Sequence, residues 1–494
     1  MKTPHAPATP NTFRTTTETN ATMNDPDEQL IPTDRQRAAG CVVGAAVGDA
    51  LGAPFEFRPA GQYRLRFPEP VLGGAGEMIG GGSFAWAPGE FTDDTQMGMA
   101  LAHALLEVNG WDPDVVWEWF RAWAHTAADI GITTATALGH NDWRDVPRES
   151  ERGAGNGALM RAFPLAVKFL RHDIDTVRTV TLQQGALTHP DPAAGWGAWI
   201  LVEMCRVAIC GGDPFTALDG IVASLPEDQH ARFSALLQAD WTPDQPHVTN
   251  GSVWGCLAEA VWAVRSTSNF HDAVVAAVNL GDDTDTVACV AGALAGSIYG
   301  VQAIPSRWTT YVNGRLDTPD GKELRMRNSD LLALTRRLLG DGEPGEEPFE
   351  RAAAPREVAP GLYASNFPGA SRVPNDWAVV SLCRVGETFR DHPVRRQVYL
   401  IDREGDHNAQ LRVAVNDAVD AVDAFLTEGR KVVVHCHGGR SRTGLVLKAW
   451  KMRAEELNER EAHDWLTELW PLYDDYNRTF VEFLRDEWPG ASKR

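Results

Sequence analysis

The chain of 494 residues has no CxxC pair, no apolar run long enough for a bilayer and no surplus of positive charge. Each absence excludes something. The seven cysteines (Cys41, Cys205, Cys210, Cys256, Cys289, Cys383 and Cys436) are odd in number and scattered, so neither a disulfide framework nor a zinc site is expected, and a reducing, cytoplasmic setting fits. The longest run of small apolar residues, TVACVAGALAGSIYG, is entered through aspartates and reads as a buried helix. No membrane partner is expected, and the N-terminus carries no apolar signal core. A formal net charge of −21 disfavours a general binder of nucleic acid or anionic lipid. It says nothing against a small, locally positive pocket.

A chain of this length exceeds one ordinary core, so two or three domains are expected. Residues 1–33 are rich in Thr, Pro and Asn, show no apolar period and read as a disordered tail, with Met23 a second candidate start. From 34 to 339, Ala/Leu/Trp-rich stretches such as MGMALAHALLEV, DVVWEWFRAWAH and SVWGCLAEAVWAVRS alternate with Gly/Pro/Asp loops. Strand-like alternation is scarce there, which predicts an all-α domain. Residues 340–356 form an acidic, Pro/Gly-bearing linker. Over 357–490 the short β-branched runs WAVVSL, QVYLI and KVVVHC alternate with helical stretches, which predicts an α/β domain.

The stretch HCHGGRSRTG, residues 435–444, sits between the strand-like KVVVHC and a helical TGLVLKAWKM. Gly438 and Gly439 allow backbone N–H groups to point inward at an oxyanion, and the helix N-terminus beyond adds its positive end. The same field stabilises a thiolate on Cys436, making it a candidate nucleophile. Arg442 offers a planar fork for two phosphate oxygens, and Thr443 a hydroxyl beside the sulfur. This Cys-x5-Arg-Thr pattern, led by His435, resembles the HCxxGxxR[ST] motif of the cysteine-dependent protein phosphatases, most closely the dual-specificity branch. The resemblance covers roughly the last 135 residues. It implies phosphomonoester hydrolysis through a phosphocysteine, with Gly438, Gly439, Arg440 and Ser441 holding the phosphate and no metal. It also implies an aspartic general acid upstream. QVYLIDREGDHNAQL offers Asp402 and Asp406; Asp402 directly follows the apolar run, and Asn408 follows at about the family's offset.

The first domain carries four patterns of its own: GCVVGAAVGDALGAPFEF (40–57), GEFTDDTQ (89–96), GAGNGALMR (153–161) and NLGDDTDTV (279–287). Gly40, Gly44 and Gly48 recur every four residues, so they share a helix face and permit close packing. Thr92, Asp93 and Asp94 stand before one helix, and Asp283, Asp285 and Thr286 before another. Each cluster alone has the composition of a helix N-cap. Brought together, their carboxylates would repel without a cation, and an all-oxygen set selects a hard ion such as Mg²⁺, or Mn²⁺, over zinc. An EF-hand is excluded by the missing central Gly and twelfth-position Glu.

In this order, the four patterns resemble the ADP-ribosylglycohydrolases related to the dinitrogenase-reductase-activating enzyme, over about 35–310. The resemblance implies an all-α fold and a two-metal centre, with Thr92, Asp93, Asp94, Asp283, Asp285 and Thr286 as ligands. It implies that Glu56 closes over the substrate, that the turn Gly155–Asn156–Gly157 holds ADP-ribose, and that Asp129 stands near substrate and metal. His189, in THPDP, reads as fixing a helix corner. The family often has Gly where Asp282 sits. The expected protein is a bifunctional hydrolase: Mg²⁺-dependent removal of ADP-ribose from a modified protein or small molecule, and hydrolysis of a phosphorylated substrate. The alternative is an ADP-ribose-binding first domain that recruits targets to the phosphatase.

Overall fold

A computed structural model describes residues 30–147, 154–245, 249–342, 345 and 350–488. Residues 1–29 of the expected disordered tail lie outside the described residues, as do 343–344 and 346–349 of the expected linker. The chain divides into two compact units. The first takes residues up to 68, 78–304 and 312–342; the second takes 69–77, 305–311 and the chain from 343 onward.

The first unit is helical, as its pattern predicts. Helix α1 (Pro32–Gly52) opens with proline at the position where its missing N–H removes nothing from the helix. Helix α2 (Asp93–Glu107) is followed later in the chain by α3 (Glu227–Leu236), α4 (Val253–Arg265) and α5 (Thr284–Tyr299). The run TVACVAGALAGSIYG lies in α5 as far as Tyr299, and all of it is buried except the half-buried Tyr299. Helix α1 is itself long and apolar, but 94% of its most apolar window is buried inside the protein. Its apolar surface is consumed by packing against α5.

The glycine repeat explains how. A Cβ on Gly40 would stand 2.2 Å from the Gly296 carbonyl oxygen, one on Gly44 2.3 Å from that of Gly292, and one on Gly48 1.9 Å from that of Ala288. No side chain fits at such distances, so the helices meet backbone to backbone. At the far end of this contact Thr284 Oγ1 donates to the Gly52 carbonyl, 2.9 Å. The crossing therefore brings the C-terminal end of α1 against the N-terminal end of α5, where the second aspartate cluster begins. Gly48→Ala should destabilise the protein by about 3 kcal/mol through overpacking, read by chemical denaturation. Gly220→Ala, in a helix with open space around the added carbon, should be neutral or stabilising by up to about 1 kcal/mol. Equal stabilities for the two variants would refute the close contact.

The all-α expectation holds apart from one hairpin, β1 (Asn313–Asp317) with β2 (Glu323–Arg327). Its turn is held by Thr318, whose hydroxyl accepts from Lys322 N, and by Gly321 at φ 79°.

The second unit is α/β, also as predicted. Strands β3 (Arg356–Ala359), β4 (Leu362–Asn366), β5 (Ala378–Ser381), β6 (Arg395–Gln397) and, beyond helix α6 (Leu411–Thr427), β7 (Val432–Cys436) form one sheet. Helix α7 (Ser441–Glu455) follows. The strand order is β3-β4-β7-β5-β6, with only the β3–β4 pair antiparallel. Strand β7 is central and buried throughout, which is why it reads as an unbroken VVV run. QVYLI is not a strand over its length. Pairing stops at Gln397; Val398 N still donates to Ser381 O (2.9 Å), and Val398 and Leu400 fill the core without a ladder.

The two short excursions, 69–77 and 305–311, are integral to this unit. Arg396 is 1% exposed, and its guanidinium donates to the Leu72 and Gly74 carbonyls, each at 2.6 Å. Buried Glu77 accepts from Arg307 Nε (2.9 Å) and Trp308 Nε1 (2.6 Å). Ser306 N donates to Asp417 on α6 (2.7 Å), and Gln397 N donates to Thr310 Oγ1 (3.0 Å).

Candidate active sites

In the first unit the two aspartate clusters meet. One oxygen each from Asp49, Asp94 and Asp285 lie within 4.8 Å of one another, and so do oxygens of Glu56, Asp283 and Asp285. Asp285 belongs to both sets. Three elements supply them: the end of α1 and the turn beyond it, the start of α2, and the start of α5. Thr92 and Asp93 stand beside Asp94, and Thr286 beside Asp285; Asp93 and Thr286 line the same cavity of about 760 Å³.

The capping alternative fails for the first cluster. Thr92 occupies the N-cap position of α2, yet its hydroxyl donates to Asp94 Oδ2 (3.1 Å) instead of capping the helix. Asp283 Oδ2 accepts from Asn156 Nδ2 (2.7 Å), which also reaches the Asn250 carbonyl (3.0 Å). Asn250 in turn binds the Gly281 carbonyl and accepts from Asp283 N. Asn156, expected at the ligand, thus also fixes one of the carboxylates. Asp282 sits at φ 56°, a left-handed conformation in which glycine is at ease and aspartate is tolerated. The loop shape persists with Asp there: Phe57 N donates to Asp282 O (2.7 Å) and Asp282 N to Arg58 O (2.9 Å).

Asp49 carries no mark in the sequence beyond its place in the glycine-rich helix, and the sequence reading did not single it out. It is fully buried and accepts from Thr92 N (2.9 Å) and Thr95 N (3.0 Å), tying α1 to the first turn of α2.

The electrostatics of this cluster favour a cation. Burial first, then Asp129 and Asp283, push Glu56 up to about 8. Burial pushes Asp49 up to about 6, and burial together with Asp283 does the same to Asp129. Burial and neighbouring carboxylates hold Asp93, Asp94 and Asp285 well above the usual carboxylate range. Asp94 Oδ1 and Glu56 Oε2 are buried without a hydrogen-bond partner among the described residues. Carboxylates gathered in this way with unfilled lone pairs fit divalent hard cations.

A consequence for stability follows. In the cation-free protein these acids hold their protons more tightly folded than unfolded, where carboxyls titrate near pH 4. Their contribution is present at low pH and lost as pH rises through about 6 for Asp49 and Asp129 and about 8 for Glu56. The melting temperature in EDTA should fall between about pH 5 and pH 8.5, and Mg²⁺ should remove most of that fall. A flat or rising profile in EDTA would contradict the clustering.

The Gly155–Gly157 turn lies on the cavity wall against His189. Cβ atoms on Gly155 and Gly157 would stand 3.3 Å from His189 Nε2 and 2.9 Å from Cε1. Burial and nearby Arg161 bring this imidazole down to about 3, so it is neutral. Arg161 Nη2 donates to Thr188 Oγ1 (2.8 Å), and the same hydroxyl lies 2.8 Å from His189 Nδ1. The imidazole's Nε2 edge faces the turn.

In the second unit the loop after β7 is braced from outside. Trp470 Nε1 donates to the Gly439 carbonyl (2.7 Å) and Phe367 N to the His437 carbonyl (3.1 Å). With these carbonyls turned outward, loop amides are free to face inward. Gly439 has φ 70°, and a Cβ there would stand 2.8 Å from Ser365 O. Cys436 is 2% exposed, and its N–H donates to Thr443 Oγ1 (2.8 Å). His435 is fully buried with Nε2 2.7 Å from Ser381 Oγ; burial above all brings it down to about 3, so it is a neutral spacer. Arg442 Nη1 donates to the carbonyls of Leu382 (3.1 Å) and Leu400 (3.3 Å), which orient the fork. Gly438, Arg440 and Ser441 complete the turn into α7, and Arg440 Nη2 lies 3.7 Å from Glu350.

Asp402 lies 3.6 Å from Arg442 Nε, whereas Asp406 is exposed on the loop. Asp402 accepts from Tyr476 Oη (2.6 Å) and Asn477 Nδ2 (3.1 Å), two partners that nothing local in the sequence announces. Asn408 clamps both backbone groups of Ile401, at 2.9 and 2.8 Å, and so sets the position of Asp402.

Comparison with known proteins matches both domains. A family model described as ADP-ribosylglycohydrolase matches residues 31–345, and one described as dual specificity phosphatase, catalytic domain, matches 379–479. The chain is 32% identical over 324 residues to an ADP-ribosylarginine hydrolase, Tri1, of Pseudomonas putida (strain GB-1), covering 62% of this chain and 81% of that one. It is 32% identical over 311 residues to the ADP-ribosyl-(dinitrogen reductase) glycohydrolase of Rhodospirillum rubrum, covering 61% and 98%. A solved structure described as an ADP-ribosylglycohydrolase-related protein complex covers 63% of this chain and 99% of its own at 31% identity, with a TM-score of 0.51.

Proposed function

Because the chain belongs to the ADP-ribosylglycohydrolase family and also carries a dual-specificity phosphatase domain, we propose that this bifunctional hydrolase removes ADP-ribose from arginine and cleaves phosphomonoesters through a phosphocysteine. The observation that carries the first half is the shared position of Asp285 in two overlapping carboxylate sets on one cavity. Asp49, Asp94 and Asp285 would hold one Mg²⁺, and Glu56, Asp283 and Asp285 a second, supplying Lewis acidity toward the ribose diol and water. Glu56, one of whose two carboxylate oxygens belongs to the second set, is also the residue that would move a proton at the scissile C1″ bond. His189 and the Gly155–Gly157 turn, which line the cavity, orient the nucleotide. The arginine linkage is supported by the printed activity of the Pseudomonas relative.

In the second unit the Cys436 thiolate attacks phosphorus in line, and the bond to the leaving oxygen breaks as Asp402 gives that oxygen a proton. Water then attacks the phosphocysteine, returns a proton to Asp402 and releases inorganic phosphate. Arg442 and the loop amides carry the charge of the phosphoryl oxygens throughout.

The test is release of free ADP-ribose from an arginine-ADP-ribosylated protein, with Mg²⁺ and with EDTA, beside release of phosphate from an aryl phosphate ester. Mg²⁺-dependent release of the first and metal-independent release of the second are expected. Absence of ADP-ribose release under both conditions would refute the arginine-directed hydrolase.

A further inference from the structure

Arg232 on α3 and Trp254 on α4 reach the wall of the cavity that holds the carboxylate cluster. The Arg232 guanidinium carbon lies 3.5 Å from the centre of the Trp254 ring. This stack engages the face of the guanidinium and leaves its N–H edge open. No ion pair or hydrogen bond of Arg232 is present among the described residues. The described wall otherwise bears seven aspartates and glutamates, and Arg232 is its one Arg or Lys.

Trp254 is also close in the chain to the Gly155–Gly157 turn's partner segment. Asn156 N donates to Gly251 O (3.3 Å), Val253 N donates to Ala154 O (3.0 Å), and Gly155 bridges Ser252. The indole that carries the cation therefore belongs to the element against which that turn is stitched, and the cation is opposite in charge to everything at the carboxylate end.

A nucleoside diphosphate ribose brings a diphosphate into a wall of negative charge. Resting on the ADP-ribose reading above, we propose that Arg232, held flat by Trp254, pairs with that diphosphate and selects for substrates that carry one. A planar fork with its donors unengaged and its rotation restricted by an indole suits two non-bridging phosphate oxygens. The arrangement gives the nucleotide a polarity in the cavity, with the diphosphate at Arg232 and the ribose at the carboxylates.

The test is calorimetric titration of the full chain in excess Mg²⁺ with ADP-ribose, ADP and adenosine. Arg232→Gln should weaken ADP-ribose and ADP about 10-fold, as expected for a charge-assisted fork, and leave adenosine unchanged. Trp254→Leu should weaken the two diphosphates less, and in the double variant the losses should not add. Arg232→Lys should fall between wild type and Arg232→Gln. Equal weakening of all three ligands, or of none, by Arg232→Gln would overturn the assignment of Arg232 alone. Failure of the unchanged protein to bind either diphosphate would overturn it together with the ADP-ribose reading.

Discussion

Asp285→Asn should lower ADP-ribose release by roughly 10³-fold while leaving the cation-free protein at least as stable as before. The side chain is 2% exposed and contributes an oxygen to both carboxylate sets. Its loss takes an oxygen from both carboxylate sets and so would weaken both proposed cation positions at once, which replacement of Asp49 or Asp283 would not. The amide is nearly isosteric, so packing against Gly52 survives. Removing one charge from a repelling cluster relieves the proton linkage that depresses stability at high pH, so the variant's melting temperature in EDTA should match or exceed that of the parent above about pH 7. Mg²⁺ should raise the melting temperature of the parent and hardly that of the variant. Activity near the parent level would sink the shared-ligand reading. A fall in activity accompanied by a fall in cation-free stability would make Asp285 a structural residue instead.

Much of this site is written in local patterns. The glycine repeat of α1 predicts a bare helix face, and the structure supplies its counterpart in Gly292 and Gly296 on α5. The acidic clusters at 92–94 and 283–286 are legible because a helix start concentrates them in a few residues. What brings them together is α1, which meets α5 through residues 232 positions apart and holds the first turn of α2 through Asp49, and no local rule encodes either contact. Asp49 escapes notice for the same reason. It sits inside a helix with no local partner, and its role appears only when α2 lays Thr92 and Thr95 against it.

The second unit has the same division. HCHGGRSRTG declares its own turn, because glycines, arginines and a strand end suffice to define an anion cradle. Its outer braces do not: Trp470 is 31 residues from the carbonyl it holds, and Tyr476 is 74 from Asp402. The apolar run QVYLI matches a strand in composition, yet Asn408 takes over the backbone of Ile401 where a neighbouring strand would have been. The change of composition at 340–356 marks one passage between units. The excursions 69–77 and 305–311 have ordinary composition, and only the buried Arg396 and Glu77 reveal where they belong.

Cys436→Ser should abolish phosphate release from an aryl phosphate ester, a loss of roughly 10⁴-fold or more, with ADP-ribose release unchanged. The substitution keeps the shape of a side chain that is 2% exposed. The bond to Thr443 uses, on the side of residue 436, the backbone N–H alone, its acceptor being the Thr443 hydroxyl, so the fold and the braced loop should persist. A hydroxyl is far harder to ionise than a thiol, so the field of the loop amides, the α7 N-terminus and Arg442 no longer yields an anionic nucleophile. That field remains in place for the phosphate itself. The variant should accordingly still bind the ester, with a Kd within a few-fold of the parent's KM, and should hold it without turnover. Arg442→Lys should behave in the opposite way: the nucleophile stays, the fork anchored by the Leu382 and Leu400 carbonyls is replaced by a point charge, and binding weakens together with the rate. Phosphate release by the serine variant at a tenth of the parent rate or more would refute the phosphocysteine route and leave the cradle as a binding site alone.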